Sequence, residues 1–332
     1  MIRRTLKILI PCTVLPFGLC ELRKLKSLTG EANEWKDIMH KNLWILTSAS
    51  LLGLTSMAAQ AATPTYDALY VFGDSYCDVG NLFAVSGYPP APYYMGRFSD
   101  GPIWLDHVAG FLHVPLTPSI LHGTDYAFGG AWATADQPLG AGQIPSVPTQ
   151  VGQYLLQHGG KADPNALYVI EGGGNDIVDT TTGSPEVLGS KIAKNLADSE
   201  ATLRKAGARN FVIPDLFNVG LLPVAAGKVA FASAASIAAN KGLDERLAPE
   251  EQIPGVHILR MDVFSLMNAV QADPTHFGFI DVTDPCLVTT TTPPALCGDP
   301  DHTFFWDTFH PTLFGHAFFA VTLENVLSQQ DR

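Results

Sequence analysis

Short apolar runs rich in β-branched and aromatic residues recur at 68–72, 166–170, 210–213 and 256–259, the pattern of strands buried on both faces. Between the second and third runs the period changes. Leu188, Ile192, Leu196 and Leu203 return at helical spacing over 185–206, with Lys and Glu on the opposite side and Gly207 as a stop, which predicts an amphipathic helix. The same period predicts helices over 103–112, 151–158, 224–240 and 313–327. Strands alternating with helices imply right-handed crossovers and a parallel sheet covered on both faces, an α/β fold.

In such a sheet the loops beyond the carboxyl ends of the strands carry the chemistry, and four short segments fall there. FGDSYCDVGN (72–81) follows the first strand, AFGGA (127–131) overlaps a short strand expected at 126–128, and GGGND (172–176) follows the run ending near Ile170. WDTFHPT (306–312) precedes the C-terminal helix. A serine hydroxyl needs a base to take its proton, and imidazole suits that task. His310 is the expected base for Ser75. Asp307, three residues earlier, is placed to orient the ring within one turn, and Pro311 is expected to start the last helix.

Acyl transfer also requires donors for the oxyanion of the tetrahedral intermediate. The backbone amides of Ser75 and Gly130 and the side-chain amide of Asn175 are the expected donors, with glycine at 129 and 130 permitting close backbone approach. Each segment alone has a plainer reading. FGDS reads as a helix cap, GGGND as a turn, and the spaced Asp and His as a surface pair. Their joint occurrence, in order and on strand ends, favours a working site. The other histidines lack the spacing of a ligand cluster, so neither a metal nor a cofactor is expected. No G-x-S-x-G elbow occurs, which disfavours the ordinary α/β-hydrolase arrangement.

The first 61 residues read differently. From Met39, a lysine, an apolar stretch over 43–57 and the Ala59-Gln60-Ala61 step form a signal-peptide pattern, with cleavage expected near Ala61 and a single catalytic domain over 62–332. An earlier apolar run at 8–20 keeps a start at Met1 open. The stretch is short for a membrane anchor, so no integral span is expected in the mature chain. The whole chain has 20 basic and 32 acidic residues; without the leader 12 and 28 remain, a net charge of −16. That surface repels phosphate backbones and disfavours nucleic acid as a partner. After export Cys286 and Cys297 are expected to form a disulfide across a Thr- and Pro-rich loop. Cys77 is expected to be a packed side chain rather than a nucleophile. The Pro- and Gly-rich stretch 87–101 reads as a long loop over the pocket.

Together these motifs resemble the GDSL esterase/lipase family of the SGNH hydrolase superfamily, over residues 66–327. The family's serine, glycine, asparagine and histidine fall on Ser75, Gly130, Asn175 and His310, with the acid on Asp307. Asp78, Gly80 and Asn81, and the GRFSDG stretch at 96–101, resemble its longer secreted members; Asp125, directly before YAFGGA, departs from the asparagine common there. The resemblance implies a three-layer α/β/α sandwich on a mostly parallel five-stranded sheet, flavodoxin-like in order. It also implies a serine esterase, released or periplasmic, acting on carboxylic esters, with short-chain or aryl esters first. Phospholipid hydrolysis, lipid acyl transfer and carbohydrate deacetylation stay open on the same site. So does a non-catalytic secreted binding module.

Overall fold

The computed structural model describes residues 65–291 and 293–328; the leader expected over 1–61 lies outside them. In chain order the strands that matter are β1 (Leu69–Phe72), a short hairpin of β2 (Gln137–Leu139) and β3 (Gly142–Ile144), then β4 (Leu167–Ile170), β5 (Asn210–Pro214) and β6 (His257–Met261). The order across the sheet is β1-β4-β5-β6. Every pairing is parallel, with Leu69 opposite Leu167, Val169 opposite Val212 and Val212 opposite Leu259. All four residues of β4 are buried, as a strand covered on both faces should be.

A fifth position exists beside β1, but it is not a regular strand. Tyr126 N donates to Val71 O at 2.8 Å and Phe128 N to Gly73 O at 3.0 Å, so the expected strand at 126–128 runs parallel to β1. Its outer carbonyls are already satisfied by a side chain: Asn81 Nδ2 donates to Asp125 O and Ala127 O, each at 2.8 Å. The Asp125 carboxylate bends the backbone further by accepting from Val79 N and Ala127 N. With this segment counted second in the chain, the order is 2-1-3-4-5, the flavodoxin-like one.

The helices are α1 (Asn81–Ser86), α2 (Trp104–Leu112), α3 (Val147–Gln157), α4 (Gly174–Asp179), α5 (Pro185–Ala206), α6 (Val229–Leu247), α7 (Val263–Ala272) and α8 (Leu313–Leu327). α3, α5 and α6 pack side by side and α2 packs on α8, flanking the sheet as an α/β/α sandwich. α5 spans the expected residues because its ends are marked: Ser184 accepts from Val187 N, Pro185 opens it and Gly207, at φ 125°, closes it. Its Ile192, Leu196 and Leu203 are buried, each contributing roughly 1.5–3 kcal/mol of apolar burial.

Some boundaries differ from expectation. α3 starts four residues early, with Pro148 in its first turn. The stretch expected as a helix from 224 begins as a 3-10 turn over Pro223–Ala225 and only becomes α-helical at Val229, because Gly227, at φ 89°, interrupts it. α8 spans the residues its period predicts, Leu313–Leu327, but Pro311 precedes it rather than starting it, because the Thr312 hydroxyl caps the helix by accepting from Gly315 N.

A parallel pair, β7 (Asp281–Pro285) with β10 (Thr303–Phe305), leads into the last motif, and the two-residue strands β8 (Leu287–Val288) and β9 (Ala295–Leu296) lie between them in the chain. Cys286 and Cys297 are disulfide-bonded, with Cα atoms 4.5 Å apart. Cys77 is a buried free thiol.

Candidate active site

Ser75 sits on a turn that β1 launches. Gln150 of α3 clamps both sides of Gly73, accepting from its N–H at 2.8 Å and donating to its carbonyl at 2.9 Å. Asp74 then caps the turn: its Oδ1 accepts from Tyr76 N at 3.0 Å, and its main-chain oxygen accepts from Cys77 N and Asp78 N at 3.0 Å. With the backbone fixed on either side, Ser75 is held at the C-terminal end of β1 with 3% of its surface exposed. Its Oγ lies 2.7 Å from His310 Nε2, across 235 residues of sequence.

His310 is placed by a tight loop after β10. Asp307 Oδ1 accepts from the backbone N–H groups of Phe309 and His310, both at 2.7 Å, so the carboxylate folds the loop around itself. The same carboxylate faces His310 Nδ1 at 2.9 and 2.7 Å, the contact that fixes a ring tautomer. Burial pushes the Asp307 carboxyl up, but the charge of His310 and the hydrogen bonds of His310 and Tyr93 outweigh it and hold it at about 2. Several contacts brace the loop. Tyr76 Oη donates to Phe309 O at 2.7 Å, Cys286 N donates to Phe305 O and Leu287 N to Trp306 O. The ring of Phe98 lies against His310, centroids 4.8 Å apart.

Among the described residues the backbone N–H groups of Ser75 and Gly130 donate to nothing, whereas Gly129 N donates to Asp78 Oδ2 at 2.8 Å. Asp78 also accepts from Gly80, Asn81 and Leu82, so one carboxylate ties the start of α1 to the glycine loop. Gly130 has φ 81°, a left-handed conformation that suits glycine. A Cβ on Gly129 would stand 2.5 Å from the Phe98 ring. Asn175, in the first turn of α4, donates from Nδ2 to Asp74 Oδ2 at 3.3 Å and to Ala131 O at 3.1 Å. Its amide is therefore held between the residue before Ser75 and the residue after Gly130.

Three residues at this site, Tyr93, Gln150 and Glu171, have roles that escaped the sequence reading, and Asp74, read only as part of a possible FGDS cap, has an acidic neighbour that reading did not foresee. Tyr93 reaches in from the 87–101 loop to donate to Asp307 Oδ2 at 2.7 Å. Gln150 clamps Gly73, and Asp74 and Glu171 form a buried acidic pair: Glu171 Oε2 accepts from Asp74 N at 3.4 Å and from Cys77 Sγ at 3.6 Å. Burial raises Asp74 to about 6, against the Tyr76 N–H and the charge of His310, while burial and then the charge of Asp74 push Glu171 well above the usual carboxylate range. Of the two, Asp74 is the carboxylate that the Tyr76 N–H and the charge of His310 favour in its charged form, and it is also the one that holds the turn and Asn175. Burial likewise pushes the Cys77 thiol well up, which keeps it protonated and unreactive. A polar residue at a strand end, such as Glu171 directly before GGGND, was the one available sequence signal; Tyr93 and Gln150 had none. Among the described residues no cluster of His, Cys, Asp and Glu is arranged to hold a metal ion, and no helix is long and apolar enough to cross a membrane.

Residues 69–322 match the GDSL-like Lipase/Acylhydrolase family. A thermolabile hemolysin of Vibrio parahaemolyticus is 27% identical over 270 residues, covering 75% of this chain and 60% of the hemolysin. A GDSL esterase/lipase of Arabidopsis thaliana is 27% identical over 321 residues, covering 82% of this chain and 92% of that protein. A phosphatidylcholine-sterol acyltransferase of Aeromonas hydrophila is 26% identical over 250 residues, 71% of this chain and 70% of that protein. The chain thus spans less than two thirds of the hemolysin's length and most of the plant enzyme's.

Proposed function

The chain belongs to the GDSL-like Lipase/Acylhydrolase family, and on that premise we propose that it is a serine esterase that cleaves carboxylic esters through an acyl-enzyme on Ser75. In the first step Ser75 Oγ attacks the ester carbonyl carbon while His310 Nε2 takes the hydroxyl proton. The C–O bond to the alcohol then breaks and the alcohol leaves with that proton. Water, deprotonated by His310, attacks the acyl carbon and releases the acid, and Ser75 regains its proton. Asp307, ionised, holds the ring and stabilises the imidazolium. The oxyanion is received by the N–H groups of Ser75 and Gly130 and by Asn175, which exchanges its longer bond to Asp74 for one to the substrate. Each such donor contributes about 3 kcal/mol in other enzymes.

The observation that carries this reading is the unbroken relay from Asp307 Oδ2 to His310 Nδ1 and from His310 Nε2 to Ser75 Oγ, each link 2.7 Å. Short-chain or aryl esters are the preferred substrates. Ser75 and His310 are only 3% and 8% exposed, so a small acyl group fits this site better than a long one. Lipid acyl hydrolysis or transfer is the second reading, favoured by the relatives named hemolysin and phosphatidylcholine-sterol acyltransferase. We also propose export, with the leader removed near Ala61 and one catalytic domain over 62–332 acting outside the cytoplasm; the acidity of that portion suits a partner that is an uncharged ester rather than nucleic acid.

The test is steady-state hydrolysis of p-nitrophenyl esters of rising acyl length, beside phosphatidylcholine. The reading expects kcat/KM to be highest for acetyl to butyryl esters and lost in Ser75→Ala. Undiminished turnover in Ser75→Ala would overturn the mechanism, and a marked preference for long-chain lipid would overturn the substrate class.

A further inference from the structure

Between the hairpin of β2 and β3, the outer face of α3 and the turn Ser119–Leu121 lies an open cleft of about 590 Å³, within the range of small-molecule sites. Neither Ser75, His310, Asp307 nor Asn175 lines it, yet it shares a wall with the glycine loop. Phe128, on its floor, is two residues before Gly130, and Ile144, which does not itself line the cleft but stands between the lining residues Gln143 and Pro145, has its Cδ1 3.1 Å from where a Cβ on Gly130 would stand.

The chemistry of the cleft is unusual for this chain. With 32 acidic and 20 basic residues in the sequence, not one charged side chain lines it. Three glutamines do. Gln153 and Gln157 project from one side of α3 at helical spacing, and Gln143 faces them from the hairpin. Tyr126 Oη donates to Gln157 Oε1 at 2.6 Å, which orients that amide and leaves its NH₂ to the cleft. Among the described residues the side chains of Gln143 and Gln153 make no hydrogen bond, and Gln157 makes only this one. The rest of the surface used here is the buried floor of Tyr126 and Phe128 and the exposed aliphatic rim of Val85 and Ile120.

An anionic or cationic ligand would find no counter-charge there, and an acyl chain would strip water from three amides without replacing their hydrogen bonds. A neutral ligand carrying many hydroxyls, each both donor and acceptor, replaces that water bond for bond, since each amide offers both functions too, and its C–H faces meet the aromatic floor and aliphatic rim. We propose that this cleft is a carbohydrate subsite, binding the neutral oligosaccharide portion of an O-acylated sugar whose short acyl ester reaches Ser75. The inference rests on the esterase reading and deepens it by naming the alcohol component of the substrate.

The test separates the two. Binding is measured calorimetrically on full-length Ser75→Ala protein, which cannot turn over, with xylotriose, cellotriose, maltotriose and N,N′,N″-triacetylchitotriose as neutral probes, trigalacturonate as the charged control and decanoate as the acyl-chain control. The subsite predicts saturable binding of at least one neutral trisaccharide below about 10 mM and none of trigalacturonate. Affinity should weaken about tenfold or more in Gln153→Ala/Gln157→Ala and in Gln143→Ala, at unchanged thermal midpoint. No neutral binding, neutral binding indifferent to all three substitutions, or decanoate binding that those substitutions weaken in place of sugar binding, each overturns it. Wild-type hydrolysis of p-nitrophenyl acetate is run in parallel. Hydrolysis without sugar binding defeats the subsite alone, and sugar binding without hydrolysis defeats the esterase reading while the cleft stands.

Discussion

Tyr93 Oη and His310 Nδ1 meet on the same oxygen, Asp307 Oδ2, each at 2.7 Å. The carboxylate is thereby held from two sides, by the ring it orients and by a hydroxyl from a loop more than two hundred residues away in sequence. Burial and then the charge of Asp307 push the Tyr93 hydroxyl far above its ordinary range, so it stays a donor throughout the working pH range. Tyr93→Phe removes that donor and leaves the ring. We expect kcat to fall roughly 3- to 30-fold, with KM little changed, as befits loss of a hydrogen bond to a charged group worth about 1.5 kcal/mol or somewhat more. Steady-state kinetics on a p-nitrophenyl ester reads it; an unchanged kcat removes Tyr93 from the positioning of Asp307.

Asp307→Asn should cost far more, about 10⁴-fold in kcat, because the ring loses the anion that selects its tautomer. The same residue leaves a mark on stability. Its folded value is lowered to about 2 from 3.8, so its contribution is fully present above pH 3.8 and is lost as pH falls toward 2. That contribution is on the order of 2 kcal/mol. Denaturant unfolding between neutral pH and about pH 2 should show the wild-type advantage over Asp307→Asn shrinking over that acid window. An advantage that stays constant to the lowest pH contradicts the charged pair.

Asn175→Ala removes the one side-chain donor assigned to the oxyanion and also a partner of Asp74. The expected loss is about 10²- to 10³-fold in kcat with a small effect on KM. A large rise in KM at unchanged kcat would place the amide in ground-state binding instead.

The Cys286–Cys297 disulfide closes a loop with a sequence separation of 11, and its first cysteine and the next residue hydrogen-bond the backbone of Phe305 and Trp306, just before the Asp307 turn. Cys286→Ser/Cys297→Ser should therefore lower stability by about 3 kcal/mol. Chemical denaturation measures the first effect. Activity should also be lost before global unfolding when the variant is heated, since Cys286 and Leu287 hydrogen-bond the residues that lead into the His310 loop; identical activity and unfolding midpoints would dissociate the disulfide from the site.

The sheet strands and α5 were legible because each carries a local signal: a compact β-branched run, or an apolar stripe with capping residues at both ends. The fifth strand was legible only as a hydrophobic run. What makes it irregular is Asn81, whose amide takes the carbonyls of Asp125 and Ala127 from 44 and 46 residues away. α6 was misplaced at both ends for similar reasons. Gly227 delays its start, and Asn240, a plausible stop by composition, lies inside the helix with its side chain bonded to Leu216 N and O. Ser75, Gly130, Asn175 and His310 stood out by type and order on strand ends. The supporting residues did not stand out. Gln150 and Tyr93 reach Gly73 and Asp307 across 77 and 214 residues, and no spacing within either segment announces a partner so far away. Glu171 is visible as a charge at the end of a buried strand, yet only the fold puts Asp74 beside it.

The central claim is that Ser75 becomes acylated. Incubation of the full chain with a fluorophosphonate at neutral pH, followed by intact-mass measurement and peptide mapping, tests it most directly. The account predicts one phosphonyl adduct per chain, on the peptide carrying Ser75, absent in Ser75→Ala and strongly slowed in His310→Ala. Folded wild-type protein that stays unmodified, or an adduct mapping to any other residue, would contradict it.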